Sequence, residues 1–478
     1  MKLAKRIGKD TGLYSLDPVI RKILGIALVP LYTAYLTTSD YGMMSYIIAI
    51  GSFTLPFITM GMNSVFWMYY KGSNEEKGSA IFVSSTISSL ISIPIVLLAL
   101  LYYLFKRDMQ SYLVFIYISA LGLRVLYERG LTLLRAQNRI GWFLTSSALL
   151  NIVRIGAAIV FVVLLRLSVS GVIFSQVVLY VIGGLLAYIY MKRYWTYVHD
   201  IKLFKEYASY GWPLMLGNIA ALMMNLADKF SLNFLSSKSE LGLYAFALSF
   251  SLPFAAFVFG PFMKAWVPLR WELFRKPNCN EAFRKVAGSL ATFFPALALL
   301  YIGIAVVGAR LLAQDASYHS ALHLIPILAM SSVLYGLYWY ELMGFLFAKR
   351  TKFFPILTTT MGILNIILNI VLVSRFGALG AAVATVTSFL VIRYAAYFLS
   401  QRIYRYSRRI FSETLLLTLT IFFAITLSFI SSIGNMYFIL VSAIFSCIII
   451  ALGFVTRLVE PQYVVEIFAL LKKKIGLS

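Results

Sequence analysis

Apolar residues run along most of this chain in blocks of about 20, separated by short polar punctuation. A block of that length matches a helix crossing a hydrocarbon layer roughly 30 Å thick at about 1.5 Å per residue. Lipid offers no partners to backbone N–H and C=O groups, so the blocks must be helices. Fourteen are expected, at roughly 12–36, 41–67, 79–104, 111–134, 142–165, 168–190, 208–235, 240–267, 286–308, 321–346, 354–373, 377–400, 411–430 and 435–456. The expected fold class is an all-α integral membrane protein.

The pattern repeats. Ser39-Asp40-Tyr41-Gly42 opens the second span and Ser239-Glu240-Leu241-Gly242 the eighth. Leu150-Asn151-Ile152 in span five matches Leu364-Asn365-Ile366 in span eleven. Gly171 pairs with Gly380, and Ala187-Tyr188 with Ala396-Tyr397. The shared order implies two six-helix lobes in parallel orientation, 1–193 and 194–405, with an extra helix pair and a basic tail at 406–478. Repeated lobes around a site are a common transporter plan.

Charge sets the expected orientation. The chain has 42 Lys+Arg against 18 Asp+Glu, a net charge of +24. With the N-terminus in the cytoplasm, alternate loops hold 28 of the basic residues and the opposite loops six, Lys106, Arg107, Arg166, Lys238, Arg310 and Arg375. The cytoplasmic sets include Lys2/Lys5/Arg6/Lys9 and Arg402/Arg405/Arg408/Arg409. Both termini are therefore expected in the cytoplasm, and the basic balance reflects topology. A nucleic-acid partner is not expected, because no stretch is long enough for a soluble basic domain. Arg21-Lys22 interrupts any signal-peptide core, so the N-terminus is expected to be retained.

Composition agrees: 61% of residues are hydrophobic and 13% charged, and the mean hydropathy is +0.85. Cys279 and Cys447 lack metal spacing, and His199, His319 and His323 fall in loops or at a helix mouth. No metal, cofactor or catalytic residue is expected.

Eight basic residues fall inside the spans: Arg21, Lys22, Arg124, Arg129, Arg154, Lys229, Lys264 and Arg393. Their acidic companions are Asp17, Glu128, Asp228 and Glu341. Each charge facing lipid near the bilayer centre costs at least ~2.5 kcal/mol. Most must therefore face the bundle interior, water or a partner, while Lys264 and Arg129, near the basic ends, are expected to snorkel. Asp17–Arg21 and Arg124–Glu128 have i, i+4 spacing and are expected to pair. Ser147, Asn151 and Arg154 form one polar stripe, and Asn218, Asn225 and Asp228 another. A surplus of cations suits an anionic, phosphate-bearing substrate. Arg21, Lys22, Arg124, Arg154 and Arg393 are the expected substrate-binding residues, and Glu128, Asp228, Lys229 and Glu341 the candidates for ion coupling or gating.

Aromatic residues make up 16% of the chain. In span ten, Tyr335, Tyr338 and Trp339 beside Glu341 are candidates for stacking on sugar rings, although helix packing explains them equally well. Prolines at 30, 56, 94, 253, 261 and 295 permit bending. After Arg457, apolar residues precede Lys472-Lys473-Lys474, as in a helix lying on an anionic leaflet or a solvated tail.

Several motifs carry a resemblance across nearly the whole chain. They are Arg21, Ser39-Asp40-Tyr41-Gly42, Asp228-Lys229-Phe230, Glu240-Leu241-Gly242-Leu243-Tyr244, Ala265-Trp266-Val267-Pro268, and Asn365 followed by Arg375-Phe376-Gly377-Ala378-Leu379-Gly380-Ala381-Ala382. In this order the chain resembles the polysaccharide (O-antigen or capsule repeat-unit) flippases of the multidrug/oligosaccharidyl-lipid/polysaccharide exporter superfamily. The resemblance implies alternating access in a bacterial cytoplasmic (inner) membrane. It implies a polyprenyl-diphosphate-linked oligosaccharide as cargo, moved outward for lipopolysaccharide or exopolysaccharide synthesis. Partners would be membrane lipids and polysaccharide polymerase machinery, and the protein would not be an enzyme. The resemblance places Asp228-Lys229 in a structural or gating role. A lipid II flippase and a drug/cation antiporter of the same superfamily stay open. A membrane polymerase or ligase would need a larger outward loop than 309–320.

Overall fold

The computed structural model describes residues 16–70, 73–198, 200–275 and 277–460. The basic N-terminal set, His199 and the tail from 461 lie outside the described residues. Every regular element among the described residues is helical, as the apolar blocks require. Ten of these helices are long and apolar enough to cross a membrane. One of them, Phe353–Ile403, is 51 residues long and covers expected spans eleven and twelve, with non-helical backbone at Gly377. Expected spans one, seven and ten coincide with helices outside those ten: Leu16–Ala27 with Val29–Tyr35, Ile201–Leu235, and Leu324–Glu341.

The motif at the start of the second span is a helix cap. Thr37 Oγ1 accepts from the Asp40 backbone N–H at 3.1 Å, and the Asp40 carboxylate accepts from the Thr37 N–H at 3.2 Å. This reciprocal pair satisfies two donors that a helix start otherwise leaves unpaired. Ser73 and Glu76 repeat it at 3.2 and 2.7 Å. At the eighth span Ser237 accepts from the Glu240 N–H at 3.1 Å.

Helix breaks follow local chemistry. Met60 and Gly61 both adopt left-handed φ (43° and 68°) and end Thr38–Thr59. Pro30 lies in the first turn of Val29–Tyr35, and Pro261 in that of Gly260–Phe274, where the missing N–H is tolerated. Pro56, Pro94 and Pro295, by contrast, lie inside helices that continue through them.

The chain divides into two compact units, Met1–Ala245 and Phe246–Ser478. In the first, Met109–Ala136 packs against Ser168–Lys192, Asn74–Lys106 and Thr38–Thr59. In the second, Cys279–Leu312 packs against Asn435–Val455, Leu324–Glu341 and Ile410–Phe429. The division by contacts falls later than the repeat border expected after residue 193, because Ile201–Leu235 packs on Thr38–Thr59 within the first unit. Long apolar faces stay uncovered, among them Leu90, Ile93, Leu97, Leu98 and Leu101 on Asn74–Lys106. These are the surfaces that lipid covers.

Candidate functional site

In the first unit the two repeated helix starts meet. Thr38 Oγ1 and Ser239 Oγ lie 2.7 Å apart. A Cβ at Gly42 would stand 1.8 Å from the Lys238 carbonyl oxygen, and one at Gly242 1.8 Å from that of Thr38. The repeat therefore has a physical reason at this point: each glycine lets the other strand of backbone approach.

The charges of spans one, four, five and seven all lie within the same unit, Asp17, Arg129 and Asp228 buried and the others partly exposed. Arg21 Nε donates to Asp17 at 3.1 Å, and Asp17 also accepts from the Ser147 hydroxyl. Asn151 donates back to the Ser147 carbonyl at 2.8 Å, so the first two members of the span-five stripe are buried and satisfied. Arg124 Nε pairs with Glu128 at 2.9 Å and lies over the Tyr180 ring, 5.5 Å from its centroid. Tyr127 is within electrostatic reach of Arg21, Asp17 and Glu128, which ties spans one and four together. Lys22 and Lys229 are close enough to repel one another. Asp228 is buried and accepts from the hydroxyl of Tyr244, so two of the resembling motifs lock together here.

Arg154 differs. Its side chain is half-buried, its Nε is buried without a hydrogen-bond partner, and no ion pair to it is found among the described residues. Within spans one, four, five and seven the unit thus holds the cations Arg21, Lys22, Arg124, Arg129, Arg154 and Lys229 against the carboxylates Asp17, Glu128 and Asp228. A guanidinium nitrogen buried without an acceptor costs stability, and Arg154 Nε is such an atom.

Arg129 corrects the snorkelling expectation. It is 0% exposed, donates from Nη1 to the Met62 carbonyl at 2.7 Å and lies 5.8 Å from the Phe66 ring centroid. The break at Met60-Gly61 turns that carbonyl toward it, so Arg129 fastens the broken helix rather than reaching for water. Lys264 is exposed, as snorkelling requires.

The second unit holds a separate charge cluster. Arg408 donates to Glu341 at 2.8 and 3.1 Å and to Glu413 at 2.9 and 3.1 Å, among the rings of Tyr340, Tyr397 and Tyr406. Tyr406 also donates to Glu341 at 3.2 Å. Arg393, expected as a substrate-binding cation, is 1% exposed and lies 3.8 and 4.0 Å from the same two carboxylates. The structure thus places Arg393 and Glu341 in a neutral, sealed group of two guanidiniums and two carboxylates. Arg408 and Glu413 were not singled out from sequence. Glu413 lay inside the expected span 411–430, and that lone acid was the available signal.

Of the sugar-stacking candidates, Tyr338 is buried, while Tyr335 and Trp339 are half-buried. Tyr335 packs edge-on against Phe259, Trp339 and Phe389. Asn365 is buried and donates to Thr385 at 3.3 Å, accepting from Asn369 at 3.0 Å. No group of three metal-ligating side chains occurs among the described residues.

Residues 7–274 match the sequence profile of the family described as "Polysaccharide biosynthesis protein". Among solved structures, one described as "Lipid II flippase MurJ, inward closed conformation" superposes with a TM-score of 0.71. It is 16% identical over 92% of this chain and 97% of its own. An inward-facing multidrug resistance MATE family transporter of the MOP superfamily gives 0.62, with 12% identity over 80% and 94%. No curated protein matches in sequence. These structural likenesses establish a shared all-helical membrane fold.

Proposed function

Because the chain belongs to the polysaccharide biosynthesis protein family, we propose that it is a flippase for a polyprenyl-diphosphate-linked oligosaccharide repeat unit. It would move this cargo from the cytoplasmic to the outer leaflet of the bacterial inner membrane for O-antigen, lipopolysaccharide or exopolysaccharide assembly, handing it to polymerase machinery. Both termini are cytoplasmic in this reading, and two lobes, 1–193 and 194–405, alternate access to a cavity. It is a transporter rather than an enzyme.

The observation that carries the reading is Arg154: a half-buried guanidinium with an unpartnered Nε in a unit whose spans hold more cations than carboxylates. A diphosphate supplies the missing acceptors in the geometry that guanidinium prefers. Arg21, Lys22 and Arg124 complete the anion site. Arg393 is assigned a structural role, since two carboxylates already balance it with Arg408.

Arg154→Ala and Arg124→Ala should each abolish surface polysaccharide while the protein stays in the membrane. Normal polymer from both variants would overturn the anion site. Glu128 and Asp228, with Lys229 beside it, are the proposed coupling or gating groups; Glu341 is held too firmly by Arg408. Transport in vesicles that ignores both pH and sodium gradients would remove ion coupling.

A second cargo is favoured by one finding, the TM-score of 0.71 to a lipid II flippase. Deletion separates the two. Viable cells that accumulate one polyprenyl-linked repeat unit on the inner leaflet support the first reading, and loss of cell-wall synthesis supports lipid II.

A further inference from the structure

We propose that a basic-rimmed apolar cavity in the second unit binds an anionic phospholipid of the membrane, phosphate at the rim and acyl chain along helix Cys279–Leu312. The cavity is about 430 Å³, within the ordinary range for small-molecule sites. Its rim carries Arg284, Lys285, Arg409 and Arg457 against one carboxylate, Glu460.

The rim is built by specific contacts. Arg457 adopts a left-handed φ of 55° and turns the chain back after helix Asn435–Val455. Leu458 and Val459 are then buried, and the Leu458 carbonyl lies so close to Gly288 that a Cβ there would stand 2.3 Å away. Arg409 fastens this wall, donating from Nη1 to the Thr456 and Arg457 carbonyls at 3.1 and 2.7 Å. Its Nη1 alone makes these bonds among the described residues. Lys285 is offset by Glu281 at 2.5 Å, whereas Arg284 and Arg457 have no ion pair among the described residues. Three arginine side chains are thus presented at one place, with Glu460 the one acid that lines the cavity among the described residues.

The body explains why the ligand is an amphiphile. Leu290, Phe293 and Leu297 line the cavity at helical spacing, and the same face of the helix continues with Leu300 and Ile304. Leu290 is 5% exposed, but Leu297, Leu300 and Ile304 are 44, 40 and 62% exposed. Beyond the cavity, this exposed apolar stripe continues along the same helix face, where an acyl chain fits. Inorganic phosphate leaves this stripe unused. The chain's own tail carries Lys472-Lys473-Lys474, which match the rim in sign. An anionic phospholipid satisfies rim and stripe together, and juxtamembrane cations attract such headgroups by about 1 kcal/mol each. This inference goes beyond the proposed flippase activity and is read without transport.

The test measures lipid retained by the purified full-length protein, by native mass spectrometry, after reconstitution in equal phosphatidylglycerol and phosphatidylcholine. The protein should retain phosphatidylglycerol preferentially, and Arg284→Gln/Arg457→Gln should reduce the preference roughly thirtyfold. Leu297→Trp, which fills the body and spares every cation, should also reduce it. Arg350→Gln/Lys352→Gln, cations elsewhere, should not. Retention unchanged in both cavity variants overturns the proposal. So does displacement of the lipid by inorganic phosphate alone, or preferential displacement by a polyprenyl diphosphate, which would assign the cavity to cargo.

Discussion

Gly42 and Gly242 stand where any side chain would strike the facing backbone at 1.8 Å. Gly42→Ala or Gly242→Ala is expected to force the two helix starts apart and to lower surface polysaccharide at least about tenfold, since close backbone approach is what glycine permits. Wild-type output from both variants would show that the contact can spread at no cost. Arg408 makes a different kind of prediction. Removing it leaves two buried carboxylates facing Arg393, whose nitrogens have no hydrogen-bond partner at present. Arg408→Met should lower stability by roughly 3–5 kcal/mol, as for other broken buried ion pairs. Lys285→Met, at a more exposed pair, should change it by less than about 1 kcal/mol. Thermal midpoints in one detergent compare them, and equal effects would contradict the burial argument. At this scale the legible pairs were Asp17–Arg21 and Arg124–Glu128, because i, i+4 spacing is local. Glu341–Arg408 was hidden, because its partners come from distant parts of the chain.

Helices here are delimited by caps and by breaks of specific cause. Thr37–Asp40 and Ser73–Glu76 close reciprocal caps, and their sequence spacing announces them. Gly377 is a sharper case: φ 54° and ψ −130° separate the two helices that make up Phe353–Ile403, and the Asn365–Thr385 hydrogen bond holds them side by side. Only glycine occupies that region comfortably, so Gly377→Ala should destabilise by about 1–3 kcal/mol. A thermal midpoint unchanged by the substitution would mean that the reversal between the two helices relaxes to a φ that alanine adopts without cost. The prolines show the limit of reading elements from sequence. Pro30 and Pro261 mark helix starts, whereas Pro56, Pro94 and Pro295 sit inside unbroken helices. Whether the freed carbonyl finds another partner decides this, and that partner is a tertiary matter.

For the whole molecule, the expected topology has a direct check. In a background lacking Cys279 and Cys447, Lys238→Cys should react with a membrane-impermeant maleimide in intact cells. Arg350→Cys should react only after permeabilisation. The reverse pattern would invert the positive-inside reading.

Hydrophobic blocks and their polar punctuation determined that the chain is a helical membrane protein, because lipid leaves the backbone one way to satisfy itself and charge bias acts loop by loop. Paired motifs in a shared order were legible too, and one pair, around Gly42 and Gly242, meets in the structure. Only tertiary structure decided the fate of each intramembrane charge. Arg129 and Arg393 are sealed in packed interiors, Arg124 is matched by Glu128, and Arg154 has no recorded counter-ion. The physical reason is that a charge in low dielectric is governed by whichever groups lie within a few ångströms, and for residues far apart in the chain only packing sets that neighbourhood.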